Sequence, residues 1–205
     1  MPSFDRPVPK RVRENGRVLN PSVLQPGDLM LVSQKTPSFV SRKIQDYQRT
    51  LYADEHARWH HAVTVIDQIK ICEATIMKGV VCREYWDYMT GDYEIKIRRV
   101  TGMEEEPERA YRIVINAAAQ TGRRYGISNL ISILRARPGN LFQRALFNSE
   151  GIICSQLYFE ACMSAGILLY SGSDPGLITP SHLSSSAMMT DVNVPWIDIA
   201  ALQAP

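Results

Sequence analysis

Cysteine is scarce in this chain, with four in 205 residues, too few for a disulfide framework to hold the fold. The four are also poorly spaced for metal. Cys72 and Cys82 lie 82 − 72 = 10 residues apart and Cys154 and Cys162 lie 162 − 154 = 8 apart, with no Cys-x-x-Cys and no His-Glu-x-x-His. The expectation is therefore no metal and no cofactor. Phosphate-cradling glycine loops are missing too, which excludes the P-loop and dinucleotide fingerprints. No apolar run approaches the roughly 18–20 residues of a membrane span; a stretch such as Ala165 to Tyr170 is typical. An excess of one charge is also lacking. Lys and Arg number 23 against 21 Asp and Glu, a net +2, which argues against a general nucleic-acid binder. The first 22 residues carry charges but no apolar core of about 7–15 residues, so a Sec signal is not expected and the chain reads as made in the cytoplasm. What remains is 45% hydrophobic and 21% charged, the composition of an ordinary globular chain with one sizeable core.

Residues 1–22 are polar, rich in Arg and Pro and without period, and read as a flexible N-terminal arm ahead of a single domain over 23–205. Gln25-Pro26-Gly27-Asp28 is a turn sequence, followed by the buried-strand candidate Leu29 to Val32. Phe39, Val40, Ile44, Tyr47 and Leu51 recur at helical spacing. Strand candidates follow at 62–66, 69–76, 79–82 and 93–100. A helix is expected over 108–121, ending at Gly122. Residues 126–147 read as a helix and a Pro138-Gly139 turn. Over 152–169, Leu157, Ala161, Ala165 and Leu168 mark a buried helix. From Ser171 the chain reads as an irregular surface tail. Strands in the middle with helices around them give an α+β class.

Few side chains can do acid, base or nucleophilic work at neutral pH. Cys154 sits where the buried helix begins. There the positive end of the dipole and the backbone N–H groups favour the thiolate, which is the nucleophilic form. Taken alone it reads as a small core residue. Cys162, Cys72 and Cys82 lie in apolar runs and read as core. Cys162 is two turns, about 12 Å, from Cys154 along one helix, too far for a disulfide. His61 opens a strand, rigid yet near solvent. His60 precedes it, and strand alternation points the two to opposite faces. Glu73 is a carboxylate inside an apolar strand. It needs a partner or an outlet to water. If the strands of His61 and Glu73 are antiparallel neighbours, the carboxylate can orient the imidazole.

These signals fall in one order: Pro26-Gly27-Asp28-Leu29 before a strand, His61 at the start of the next, and Glu73-Ala74 twelve residues on (73 − 61 = 12). Gly122 to Tyr125 follows as Gly-x-x-Tyr, then Cys154-Ser155-Gln156-Leu157 opening a helix. This resembles the permuted branch of the NlpC/P60 superfamily, the circularly permuted papain-like fold shared with lecithin–retinol acyltransferase-like proteins. The likeness spans about residues 24–185. It includes Thr179-Pro180-Ser181-His182-Leu183, similar to a closing Thr-Pro-x-x-Leu turn in which His182 is incidental. The resemblance implies a small antiparallel sheet or barrel against helices. It implies Cys154 as nucleophile, His61 as general base, Glu73 as the residue orienting His61, and Tyr125 near the oxyanion. The His60-His61 pair departs from the single His of related sequences, and the strand that follows favours His61 as the base.

The resemblance implies a thiol hydrolase or acyltransferase acting on one of two substrate classes. One is an amide in a peptidoglycan stem peptide; the other is a lipid ester or amide. Arg42, Lys43, Arg49 and Arg58, with Tyr47, Tyr52 and Trp59, read as a basic and aromatic substrate rim or, as readily, as a solvated helix face. The lack of an apolar docking segment favours the amidase. A cell-wall amidase without a Sec signal would reach its target by another route, either as an exported antibacterial effector with an immunity protein in the producer or as a phage lysis protein. The contrasting reading is a binding module that keeps the fold without catalysis.

Overall fold

The computed structural model describes residues 8–128, 130–131, 151–170 and 178–202. Its centre is a six-stranded antiparallel sheet built from β2 (Leu29–Gln34), β3 (His61–Val65), β4 (Lys70–Thr75), β5 (Gly79–Glu84), β6 (Tyr93–Val100) and β7 (Met189–Val192). Their order across the sheet is β5-β4-β3-β2-β6-β7. The helices that cover it are α4 (Pro107–Ala119) and α5 (Cys154–Ser164). The chain is therefore α+β, with an antiparallel sheet packed against helices.

Both faces of this sheet are covered. Leu29, Leu31, Ala62, Cys72, Ala74 and Val80 pack with Ile113, Ala117, Leu157 and Tyr158 of the two helices. Met30, Val32, Val63, Val65, Ile71 and Ile97 pack on the other face with Tyr85, Trp86, Tyr88 and Met89. Coverage on both sides explains why β2 reads Leu-Met-Leu-Val without alternation.

The expected strands and the helices at 39–49, 107–119 and 154–164 are present with shifts of a few residues. α2 (Phe39–Arg49) begins at an N-cap, Ser38, whose hydroxyl accepts the Ser41 N–H. α3 (Asp54–Ala57) is a single turn. The expected helix and Pro138-Gly139 turn of 126–147 lie almost wholly outside the described residues.

Two expectations need correction. Residues 8–22 are not an extended arm: α1 (Lys10–Asn15) and β1 (Arg17–Leu19) form there. Val8, Val12, Val18 and Leu19 are buried in the second core cluster. Four apolar residues in a polar stretch have no period, so only tertiary burial makes them a unit. The chain beyond 178 is likewise not an irregular tail. It supplies α6 (Pro180–Ser185), the edge strand β7, β8 (Trp196–Asp198) and α7 (Ile199–Leu202). β8 pairs with β1 through Val18↔Ile197. Arg98 on β6 donates to the carbonyls of Leu183, Ser184, Ser186 and Met189, binding this segment to the sheet.

Candidate active site

The site forms at the end of the sheet where β3 begins. His61 pairs with Val32 of β2, while β3 and β4 are joined at Thr64↔Cys72 and Val65↔Ile71. Towards His61 the two strands part, which frees the Ala62 N–H from the ladder. The Cys154 thiol takes that position, bonded by the backbone N–H groups of Ala62 and Ser155 and by the His61 side chain. The helix carrying Cys154 and the strand carrying His61 belong to different layers, and the opening between β3 and β4 is where they meet.

His61 Nε2 lies 2.6 Å from Glu73 Oε2, which leaves Nδ1 as the ring nitrogen for the thiol. The His61 side chain is 16% exposed and that of Glu73 0%. Glu73 thus has no outlet to water and is held by three partners. The Tyr88 hydroxyl donates to Oε2 at 2.5 Å, and Arg83 Nε donates to Oε1 at 2.5 Å. Arg83 in turn donates to Asp87 at 2.6 Å and lies 5.2 Å from the Tyr88 ring centroid. The result is a line of alternating charge: thiolate, imidazolium, carboxylate, guanidinium. Each group lies against its opposite charge, which offsets the cost of burying Glu73, His61 and Cys154.

The ionisation equilibria follow from this line. Burial favours the neutral thiol at Cys154, but the His61 charge and the two N–H bonds outweigh it and bring the group below the usual thiol range. Burial also opposes charging His61; the Cys154 thiolate and then Glu73 outweigh it and raise His61 to about 10. Glu73 is buried, yet His61, Arg83 and Tyr88 hold it down at about 2. The two shifts run in opposite directions and favour a thiolate beside an imidazolium. His60 is different. Burial first, and the neighbouring His61 charge second, lower it to about 4, and its Nδ1 accepts the Gln34 N–H at 3.4 Å.

The mouth of α5 completes the constellation. Its N-cap is Ile153, which offers no side-chain acceptor, so the first N–H groups stay directed at the thiol and at any oxyanion beside it. Tyr125 stands next to it. An isolated parallel bridge joins Tyr125 to Ile152, and the Gly126 N–H donates to Ile152 at 3.0 Å. Burial and the Cys154 charge raise the Tyr125 hydroxyl well above its usual value, so it remains a proton donor.

The other named residues divide. Tyr47 is half-buried and packs with Val40 and Tyr125 around Ile44, Leu130 and Ile153, the last of these next to Cys154 in the chain. Trp59 is not on a rim. It is 6% exposed within the helix-side core, with its Nε1 donating to Glu55 at 3.0 Å. A charged neighbourhood in sequence gave no sign that this indole turns inward. The basic rim also shrinks, because Arg49 pairs with Asp46 and Asp54 and Arg58 pairs with Glu94. His182 lies in α6, where its Nδ1 accepts the Thr179 N–H at 3.2 Å and closes a capping box.

The Pro-Gly-Asp-Leu turn has a structural explanation. The Gly27 carbonyl accepts the Tyr158 hydroxyl at 2.9 Å, and Tyr158 lies one turn beyond Cys154 on α5. Asp28 is held in two-point contact by Arg99, at 2.7 and 2.9 Å. The Ser155 hydroxyl donates to Ile178 at 2.7 Å, just ahead of Thr179-Pro180. These contacts set the position and tilt of the helix that presents the thiol.

Sequence reasoning missed Arg83 and Tyr88. The hairpin register Glu73↔Val81 and Ile71↔Arg83 puts Arg83 diagonally across from Glu73 on one face. A buried acid on a hairpin demands a cation near its cross-strand position, and that demand was the available signal. Tyr88 lies in a 3₁₀ turn, Tyr85–Tyr88, and nothing in its spacing pointed to Glu73.

Comparison with known family models and with curated proteins finds no match. The resemblance to permuted NlpC/P60 proteins therefore rests on the residues above and their order. Among the described residues no group of three or more His, Cys, Asp or Glu is placed to hold a metal, and no helix is long and apolar enough to cross a membrane.

Proposed function

We propose that this protein is a cysteine hydrolase of the permuted papain-like type that cleaves an amide bond, with Cys154 as nucleophile, His61 as general base and acid, and Glu73 as the residue that orients His61. The observation that carries the reading is the contact line Cys154–His61–Glu73, with the thiol at an uncapped helix mouth. In the reaction the Cys154 thiolate attacks the carbonyl carbon. The N–H groups at the start of α5 and the Tyr125 hydroxyl receive the oxyanion. The His61 imidazolium gives its proton to the leaving amine, and a thioester forms. His61, now neutral, takes a proton from water, and the hydroxide attacks the thioester to release the acid.

The test is the pH dependence of Cys154 alkylation by iodoacetamide, followed by mass spectrometry in the native protein and in His61→Ala. The expected result is a reactive plateau reaching well below the free-thiol value of about 8.5, lost in the variant. An inert thiol, or one indifferent to His61, would overturn the hydrolase reading in favour of a binding module.

For substrate, we put a peptidoglycan stem peptide first. One observation favours a lipid ester or amide as the second reading. Phe39 is 72% exposed at the start of α2, and Met77 is 90% exposed in the turn after β4, so apolar side chains do face solvent. Release of new amino groups from purified sacculi supports the first reading; release of fatty acid or lyso-product from vesicles, with sacculi untouched, supports the second. An antibacterial effector acting on the cell wall is toxic when directed to the periplasm and harmless as Cys154→Ala. An immunity protein would relieve that toxicity.

A further inference from the structure

Cys72 and Cys82 read as core residues in the sequence, yet only one of them is. Cys72 is fully buried and Cys82 is exposed, and both are free thiols. They are direct cross-strand partners in the β4–β5 hairpin. The type of pair follows from the hydrogen bonds around it. Val80 gives its N–H to Arg123 and its carbonyl to the Gly122 N–H, outside the sheet, while Tyr85 bonds inward to Ile69. Residues 79, 81, 83 and 85 therefore face β4 with their backbone groups, and 80 and 82 do not. Cys72↔Cys82 is thus a non-hydrogen-bonded antiparallel pair, the type with Cα atoms about 4.5 Å apart and side chains closest. A disulfide needs roughly 4.4–6.8 Å, so the backbone already lies within bridging range.

We propose that Cys72 and Cys82 are a redox-active dithiol that closes reversibly to a disulfide across this hairpin. The two thiols are unequal in a way that suits the chemistry. The hydrogen bond from Cys72, ahead of burial which opposes it and the Thr121 hydroxyl which helps, lowers Cys82 to about 6. The exposed thiol is the nucleophile and the buried one holds the proton. Cys82 Sγ lies 3.5 Å from Thr121 Oγ1, and Cys72 Sγ lies 3.4 Å from the Ala117 carbonyl. Both sulfurs are on the α4 side of the hairpin.

The oxidant is a low-molecular-weight disulfide such as oxidised glutathione. The Cys82 thiolate attacks one of its sulfurs, forming a mixed disulfide and expelling one thiolate. Capping Cys82 removes the negative charge that held the Cys72 proton. Cys72 then gives its proton to the expelled thiolate and attacks Cys82 Sγ, displacing the second thiolate, which takes a proton from water. The two cysteines lose two electrons and the oxidant gains them, leaving one protein disulfide and two small thiols. The inference does not depend on the hydrolase reading: neither Cys154 nor His61 takes part. It does bear on that site, because Glu73 and Arg83 are the residues that follow the two cysteines.

The test treats the native full-length chain with oxidised glutathione, blocks remaining thiols under unfolding conditions and digests with trypsin. Cleavage after Lys70, Lys78 and Arg83 separates the two cysteines. The expected product is peptide 71–78 joined to peptide 79–83, two hydrogens lighter than the two free peptides together and separated again by dithiothreitol. In Cys82→Ser, which alters an exposed position, Cys72 stays fully blocked. Three results would overturn the proposal: Cys82 ending as a stable glutathione adduct with Cys72 still blocked, both thiols unchanged under oxidant that closes dithiothreitol, or Cys72 joined to another cysteine.

Discussion

At Glu73 one buried carboxylate holds three donors, His61, Arg83 and Tyr88, and the chemistry of the site depends on its charge. Glu73→Gln keeps the shape and removes the charge. The force that raises His61 weakens, so the imidazolium loses its proton at lower pH and the upper edge of the ion-pair plateau in Cys154 alkylation moves down. Turnover of any substrate the site accepts is expected to fall by about 10²–10⁴, the span of a misoriented general base. Alkylation rates across pH measure the first effect. Arg83→Met is milder, about 10–100-fold, because Tyr88 and His61 still hold the carboxylate. If Arg83→Met were as damaging as Glu73→Gln, the guanidinium would have a role beyond supporting Glu73. Cys154, His61 and Glu73 were each legible in the sequence as single weak signals. Arg83 was not, because its link to Glu73 is a cross-strand diagonal that exists only once the register of the hairpin is known.

Among the elements, α2 and α5 position the site through a few buried contacts. Gln48 on α2 donates to the Ala57 and Trp59 carbonyls at 2.9 and 2.7 Å and accepts the Ser181 N–H at 2.9 Å. It ties three segments of chain together just ahead of His60 and His61. Gln48→Ala strands these buried groups and is expected to cost about 1–3 kcal/mol, read as a lower urea midpoint. The approach to α5 is tighter. A Cβ at Gly151 would meet the Gly126 Cα at 2.5 Å, so the strand segments beside Cys154 cross with no room for a side chain. Gly151→Ala is expected to cost about 1–3 kcal/mol through displacement of backbone. It should also slow Cys154 alkylation, since the segment that moves is the one leading into the helix. A stable variant with unchanged thiol reactivity would show that the crossing is slack. The helix at Cys154 and the strand at His61 were readable from period and position. Their contact across the opening between β3 and β4 was not.

For the whole molecule the pH dependence of stability follows from buried groups. His182 is held at about 4 by burial, and His60 at about 4 by burial and then by the His61 charge. Both accept a backbone N–H at Nδ1, which a protonated ring cannot do. The unfolded chain therefore takes up protons first. The stability that His60 and His182 contribute is present above about 6.5 and lost as pH falls towards 4, and Glu73 extends the loss from 4.5 towards 2. Urea midpoints measured down this range should fall steadily. In His182→Asn, which keeps an acceptor that does not titrate, the slope between about 6.5 and 4 should be shallower. An unchanged slope would place the uptake of protons elsewhere.

The sequence alone determined the class of the fold, the order of the strands from Leu29 to Val100 and of the helices at 107–119 and 154–164, and the residue types able to act as nucleophile, base and orienting acid. Period, turn residues and the position of each group within its element are local properties, and these suffice for that much. Tertiary structure decided the rest. It drew residues 8–22 and 178–198 into the fold, because the burial of Val18 and the pairing of β7 and β8 depend on partners far away in the chain. It turned Trp59 inward, left Cys82 outside and brought Arg83 and Tyr88 to Glu73. Each of these outcomes depends on which strand lies beside which and in what register, and a sequence read along one dimension does not contain that information.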